Sequence, residues 1–204
     1  AGAALAVSMG ATVIVMDDGF QNPSLKKTLS LVVVDSDAGF GNGLCIPAGP
    51  LRERVEDGLA RADAVIVAGD GNAFSTDRAM PVLRAHLEPD AASAEALTGR
   101  AVFAFAGIGR PEKFFISLER LGARIAGRRV FPDHHAYTAA EIGALRAEAA
   151  ALGAALVTTE KDLVRLDAAA RAGSETLPVA IAFSDEAALD RLLAHAVPAY
   201  GSAA

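Results

Sequence analysis

A single cysteine, Cys45, among 204 residues excludes an intramolecular disulfide and any structural zinc site built on several thiolates. The composition suits a reducing compartment without requiring one. No stretch approaches the roughly 20 consecutive apolar residues that a membrane-spanning helix needs. The apolar opening, AGAALAVSMG, lacks the basic flank of a signal peptide and begins without methionine. It reads as the end of an amphipathic helix, so the chain is expected to be a piece of a longer protein. A basic excess is also missing. Nineteen Lys and Arg stand against twenty-five Asp and Glu, and the resulting net charge of -6 argues against a nucleic-acid binder held by phosphate neutralisation. Nor does the sequence contain the G-x-x-x-x-G-K-[ST] loop that cradles phosphates, because GFGNG at Gly39–Gly43 has neither the lysine nor a helix after it.

What is present is globular: 52% hydrophobic and 22% charged residues suffice for one sizeable core or two small ones. Short runs rich in Val and Ile at Thr12–Met16, Leu31–Asp35, Ala64–Ala68, Ala101–Ala106, Ala155–Thr159 and Val179–Phe183 read as strands. Their near-continuous apolarity predicts burial on both faces, hence a parallel α/β sheet. Lys113–Leu121, Ala139–Leu152 and Asp185–His195 carry apolar residues at helical spacing, and Thr138 with Glu141 forms a capping box for the second. Met80–Arg100 breaks the rhythm with an alternating, exposed-strand pattern followed by small residues and Thr98-Gly99. A domain linker is placed there, dividing the chain into 1–80, 81–100 and 101–204.

Five stretches carry chemistry. VIVMDDGFQN, Val13–Asn22, would end a buried strand in Asp17 and Asp18, where the carboxyl ends of parallel strands collect ligands and a carboxylate can hold a phosphate-bound Mg²⁺. The alternative is a plain turn with Gly19 supplying a positive φ. GFGNGLCIPAGPLRE, Gly39–Glu53, is a long loop closed by Arg52 and Glu53, either functional or a surface turn with a helix-start ion pair. GIGRPEKFF follows a strand and opens a helix, so backbone N–H groups around Gly107, Gly109 and Arg110 could face a phosphate or merely make a tight connection. FPDHHAYT gathers Asp133, His134 and His135, where an imidazole oriented by a carboxylate could move protons at neutral pH. Metal binding is the rival there, but adjacent histidines on extended chain point opposite ways, so one active and one structural histidine is preferred. LVTTEKDLVRL ends a strand in two threonines and starts a helix with Glu160, Lys161 and Asp162, a ligand-facing edge or simply a capped first turn.

Taken in order, DDGFQN, GFGNGLCIPAGPLRE, GIGRPEKFF, FPDHHAYT and LVTTEKD closely resemble the tetraacyldisaccharide 4'-kinase family of lipid A biosynthesis, from Val13 to about His195. The resemblance implies an incomplete P-loop kinase-type parallel sheet over 1–80, joined by a β linker to a smaller C-terminal α/β domain over 101–204. It implies transfer of the ATP γ-phosphoryl group, with Mg²⁺, to the 4'-hydroxyl of a tetraacyldisaccharide 1-phosphate. The partners it implies are that lipid A disaccharide precursor, ATP and peripheral contact with the cytoplasmic face of the bacterial inner membrane, with no nucleic acid. By the same resemblance Asp17 and Asp18 position Mg²⁺, Gln21 belongs to their motif, Arg52 and Glu53 organise substrate or metal, and His134, within the Asp133-His134 motif, pairs with a catalytic aspartate near the acceptor hydroxyl. Gly107, Gly109, Arg110 and Lys161 contribute nucleotide or domain-closure contacts.

The family's Walker A loop is absent from these residues, and phosphoryl transfer rests mainly on positioning and charge stabilisation. The 204-residue chain alone is therefore expected to be inactive or nearly so. A non-catalytic remnant or binding module that keeps the fold is the alternative.

Overall fold

A computed structural model describes residues 2–197. In chain order they form α1 (Gly2–Ser8), β1 (Leu31–Asp35), α2 (Val55–Arg61), β2 (Ala64–Ala68), β3 (Val82–Pro89), α3 (Ala91–Leu97), β4 (Ala101–Ala106), α4 (Pro111–Arg120), β5 (Arg124–Val130), α5 (Ala139–Ala151), β6 (Ala155–Thr158), α6 (Glu160–Leu163), α7 (Ala168–Arg171), β7 (Glu175–Thr176), β8 (Val179–Phe183) and α8 (Glu186–Ala196). The fold is α/β with two four-stranded sheets, ordered β1-β2-β3-β8 and β5-β4-β6-β7. The chain divides into two compact units: one comprises residues 1–87 and 181–204, the other Glu88–Ala180.

In the first unit β1, β2 and β3 pair in parallel. Successive β2 side chains point to opposite faces, so Val65 and Val67 pack with Val34, Leu59 of α2 and Phe74, while Ile66 joins Leu83, Ala85, Phe183 and the α8 residues Leu189 and Leu192. Helices on both faces explain why β2 is apolar throughout. Val82–Pro89, expected as an exposed linker strand, is instead β3. Its alternating pattern buries Leu83 and Ala85 and turns Arg84 and His86 outward.

One predicted strand is not formed. Thr12–Met16 runs as irregular chain ending in a turn at Asp17-Asp18, and Val15 is 90% exposed. A parallel strand is stable only when its N–H and C=O groups join a ladder and its side chains are covered. This segment joins neither sheet, and β1 pairs only with β2, leaving Val33 exposed.

The second unit shows the same alternation more completely. On β4, Val102, Ala104 and Ala106 pack against Phe114, Phe115 and Leu118 of α4. Phe103 and Phe105 pack on the other face against Ile142, Leu145 and Ala149 of α5. Each fully buried Phe or Leu contributes about 2–3 kcal/mol of transfer free energy. Thr138 caps α5 as expected, its hydroxyl accepting from Glu141 N–H while the Glu141 carboxylate accepts from Thr138 N–H at 2.8 Å. Among the described residues no helix is long and apolar enough to cross a membrane.

Candidate functional site

In the first unit the DDGFQN turn and the end of the Gly39–Glu53 loop meet. Asp18 has a left-handed backbone, φ 49°, whereas Gly19 does not. Aspartate tolerates that region better than most residues, and Gly19 is needed for another reason. A Cβ there would lie 2.6 Å from the Met16 Cβ. The turn aims Asp18 at Arg52, whose guanidinium donates to both carboxylate oxygens at 2.9 Å. This fork-to-carboxylate match is the strong form of such a pair. The Arg52 hydrogen bonds, and then its charge, hold the Asp18 carboxyl below the usual range.

Arg52 and Glu53, expected as a charged pair closing the loop, bind different partners. Glu53 accepts from Arg61 at 2.6 and 2.8 Å and from the Gln21 amide at 2.9 Å. The hydrogen bond from Arg61 lowers its pKa. Arg61 also lies over the Phe20 ring, 5.0 Å from the centroid, a cation–π contact that ties α2 to the DDGFQN turn. An open groove of about 410 Å³ runs along this turn, lined by residues 16–21, Lys27 and the β1 residues Leu31–Val33. Asp17 is exposed beside it. Arg61 was not singled out in the sequence, although "VEDGLAR" places it two helical turns beyond Glu53.

In the second unit the turn after β4, the PDHH segment and the start of α6 converge. The Asp162 carboxylate, 0% exposed, accepts from Gly107 N–H at 3.0 Å, from the Thr159 hydroxyl at 2.8 Å and from Arg165 at 3.0 Å. The Gly107 N–H, expected to face a phosphate, is thus engaged inside the protein. Gly109 and Arg110 are exposed, with Arg110 at the N-cap of α4. Lys161 is exposed on α6, and Thr159 caps that helix.

His134 also has a left-handed backbone, φ 60°. Its N–H donates to the Asp133 carboxylate at 2.9 Å, but its ring Nε2 lies 3.9 Å from Asp133. Asp133 therefore shapes the turn, and the imidazole is held instead by Arg165, whose Nη2 is 3.2 Å from Nδ1. His135 is the structural member of the pair. Its ring stacks on Phe131 at 4.8 Å and bonds Glu141 at 3.1 Å. Burial and then the Asp162 charge push the nearby Tyr137 phenol well above its usual range. Arg165 and Tyr137 were missed in the sequence. The signal for Arg165 was its i, i+3 spacing from Asp162 in "EKDLVR".

A family profile described as tetraacyldisaccharide-1-P 4'-kinase matches residues 1–198. A tetraacyldisaccharide 4'-kinase from Rhodospirillum centenum is 58% identical over 95% of this chain and 58% of its own length. The corresponding protein from Methylobacterium sp. is 54% identical over 94% of this chain and 59% of its own. The chain thus spans about three fifths of the length of these curated relatives. A crystal structure of LpxK from Aquifex aeolicus in complex with ATP superposes with a TM-score of 0.70 at 24% identity, covering 96% of this chain and 61% of that one, a likeness of fold. Through the profile match and these identities, the chain belongs to the tetraacyldisaccharide 4'-kinase family.

Proposed function

We propose that this chain provides acid–base and metal-positioning groups for ATP-dependent phosphorylation of the 4'-hydroxyl of a tetraacyldisaccharide 1-phosphate, the step giving lipid IV-A in lipid A biosynthesis. The observation that carries this reading is the meeting of DDGFQN with the PLRE loop end, where Arg52 grips Asp18 and Glu53 takes Gln21. Two motifs some thirty residues apart are joined by these two side-chain contacts, which a pair of unrelated surface turns has no reason to form. The relatives' printed name, tetraacyldisaccharide 4'-kinase, supports the same substrate class.

The residues suit Mg²⁺. Among the described residues no cluster of three His, Cys, Asp or Glu forms a metal cage. Mg²⁺ does not ask for one, since one or two carboxylates with waters and phosphate oxygens complete its shell. Asp17 and Asp18 would hold it, and bound there it would neutralise phosphate charge. Arg52 fixes the direction of Asp18, and Glu53, itself fixed by Arg61, fixes Gln21. His134 handles the proton of the acceptor hydroxyl, with its ring exposed and Nε2 3.9 Å from the Asp133 carboxylate. Lys161, Gly109 and Arg110 contribute nucleotide or domain-closure contacts, while Gly107 acts through the Asp162 network. The acceptor is a lipid, so the reaction belongs at the cytoplasmic face of the inner membrane, with peripheral contact.

The test uses the complete open reading frame that encodes this chain, assayed with ATP, Mg²⁺ and tetraacyldisaccharide 1-phosphate. Asp17→Ala and Asp18→Ala are expected to lower transfer by about 10²-fold or more, and His134→Ala by roughly 10²-fold. Equal, near-wild-type rates for all three would refute the assignments. The 204-residue chain alone, containing no Walker A sequence, is expected to give no measurable transfer. Activity in that sample would overturn the inactive-alone reading.

A further inference from the structure

We propose that Arg165, held by the buried Asp162, is a positioning residue that fixes the orientation and tautomer of His134. The inference rests on the reading of His134 as the proton-handling group. It starts from a buried carboxylate that must be compensated. Asp162 has no exposed surface, and an unpaired charge there would be prohibitively costly. Gly107 N–H, Thr159 and Arg165 supply the compensation.

Arg165 then spends its remaining donors outward. Nη1 donates to the Gly107 carbonyl at 2.9 Å, and Nη2 lies 3.2 Å from His134 Nδ1. The Gly107 carbonyl also accepts from the His134 backbone N–H at 3.2 Å. One guanidinium therefore ties the β4 turn, the α6 start and the histidine together. A guanidinium can only donate, so Nδ1 must be the acceptor. In the neutral ring the hydrogen is then on Nε2, the nitrogen facing away from the clamp. His134 then offers an Nε2–H donor on an exposed ring, 3.9 Å from the Asp133 carboxylate and suited to a carboxylate or a phosphoryl or hydroxyl oxygen. Asp133 makes no hydrogen bond to the ring, its carboxylate lying 3.9 Å from Nε2, so Arg165 is the group in hydrogen-bond contact with the imidazole.

The test has two arms. In the 204-residue chain above pH 8, ¹⁵N spectra of the imidazoles are expected to show His134 as the single Nε2–H tautomer. In Arg165→Met its two ring shifts should move toward the average of a free imidazole. In the complete gene product, Arg165→Met is expected to lower kcat roughly 10-fold with KM within about 2-fold. That loss should vanish in a His134→Ala background. Arg165→Lys, which keeps the charge but not the fork, should behave like Arg165→Met. Should Arg165→Met fail to fold around the orphaned Asp162, the Asp162→Asn/Arg165→Met pair removes that charge and carries both arms.

Unchanged His134 ring shifts overturn the clamp whatever the kinetics show. An undiminished kcat loss in the His134→Ala background overturns the action through His134. If His134→Ala alone keeps wild-type turnover, the catalytic reading of His134 falls, and the positioning role with it, even where the spectra show the clamp.

Discussion

Among the described residues two non-glycine positions, Asp18 and His134, sit in left-handed backbone, and each belongs to a motif with proposed chemistry. Such conformations cost of order 1 kcal/mol and persist where the surroundings over-determine them. Here the surroundings are Arg52 for Asp18 and the Gly107–Arg165 clamp for His134. The sequence made Asp17, Asp18, Gln21, Arg52 and Glu53 legible as candidates, since acidic and polar residues punctuating apolar runs stand out. It could not show that Arg52 and Glu53 turn to different partners, because a rotamer is chosen by neighbours far away in the chain. Arg165 was hidden for a related reason: in the turn just past the charged α6 it looks like an ordinary solvated side chain. Glu141 supplies a titration test. Hydrogen bonds from the Thr138 backbone and hydroxyl, then from His135, hold its carboxyl below the usual range. A depressed folded pKa contributes stability above the unfolded value, about 4.3, and loses it as pH falls through the folded value. The Tm gap between wild type and Glu141→Gln is therefore expected to be full above about pH 5 and to narrow progressively as pH falls below it. A gap that stays constant from pH 3 to 6 would contradict it.

At the scale of elements, strands buried on both faces were the most legible feature. Leu31–Asp35, Ala64–Ala68, Ala101–Ala106 and Val179–Phe183 form with the expected bounds. β5, "RIAGRRV", carries no clear strand signal in the sequence, because three arginines mask an edge strand whose pairing with β4 supplies the stability. α3 looks in the sequence like a plain small-residue stretch, yet Asp90 caps it through Ser93 N–H and Leu97 anchors it. Thr12–Met16 failed in the opposite direction: its residues favour a strand, but a strand also needs a neighbour. The β4–α4 turn gives a sharper prediction. A Cβ on Gly107 would lie 2.7 Å from the Tyr137 hydroxyl and 3.2 Å from Asp162 Oδ1. Gly107→Ala is expected to cost about 1–3 kcal/mol, read as a lower midpoint in urea with unchanged slope. Gly143→Ala, at a helical position with nothing within 4 Å, should instead be neutral or stabilising by up to about 1 kcal/mol.

For the whole molecule, the two units have separate cores, and the first is discontinuous in sequence. The composition placed a single break near 81–100 and put everything after it in one domain. The structure returns the chain to the first unit at Ile181, so that Phe183, Leu189 and Leu192 cover Ile66, Leu83 and Ala85. Long-range return of this kind has no local signature, since β8 and α8 look like any strand and helix. Truncation after Ala180 is expected to raise amide exchange in β2 and β3 at least tenfold while β4 and β6 keep their protection. Equal loss of protection in both sheets would show that the units do not open independently.

The same return has a consequence during synthesis. β3 is finished with only the first two residues of the second unit made, but its sheet neighbour β8 is made only after residue 178. At roughly 5–20 residues per second, the second unit takes roughly 5–20 s to emerge. Throughout that interval the first sheet has an unpaired edge at β3, with Leu83 and Ala85 awaiting α8. The inserted unit, with its strands and helices contiguous, can complete its core first. Synthesis from the N-terminus thus makes the inserted unit's core complete in sequence before the first unit's, and until β8 and α8 are made the first sheet keeps an open apolar edge at β3.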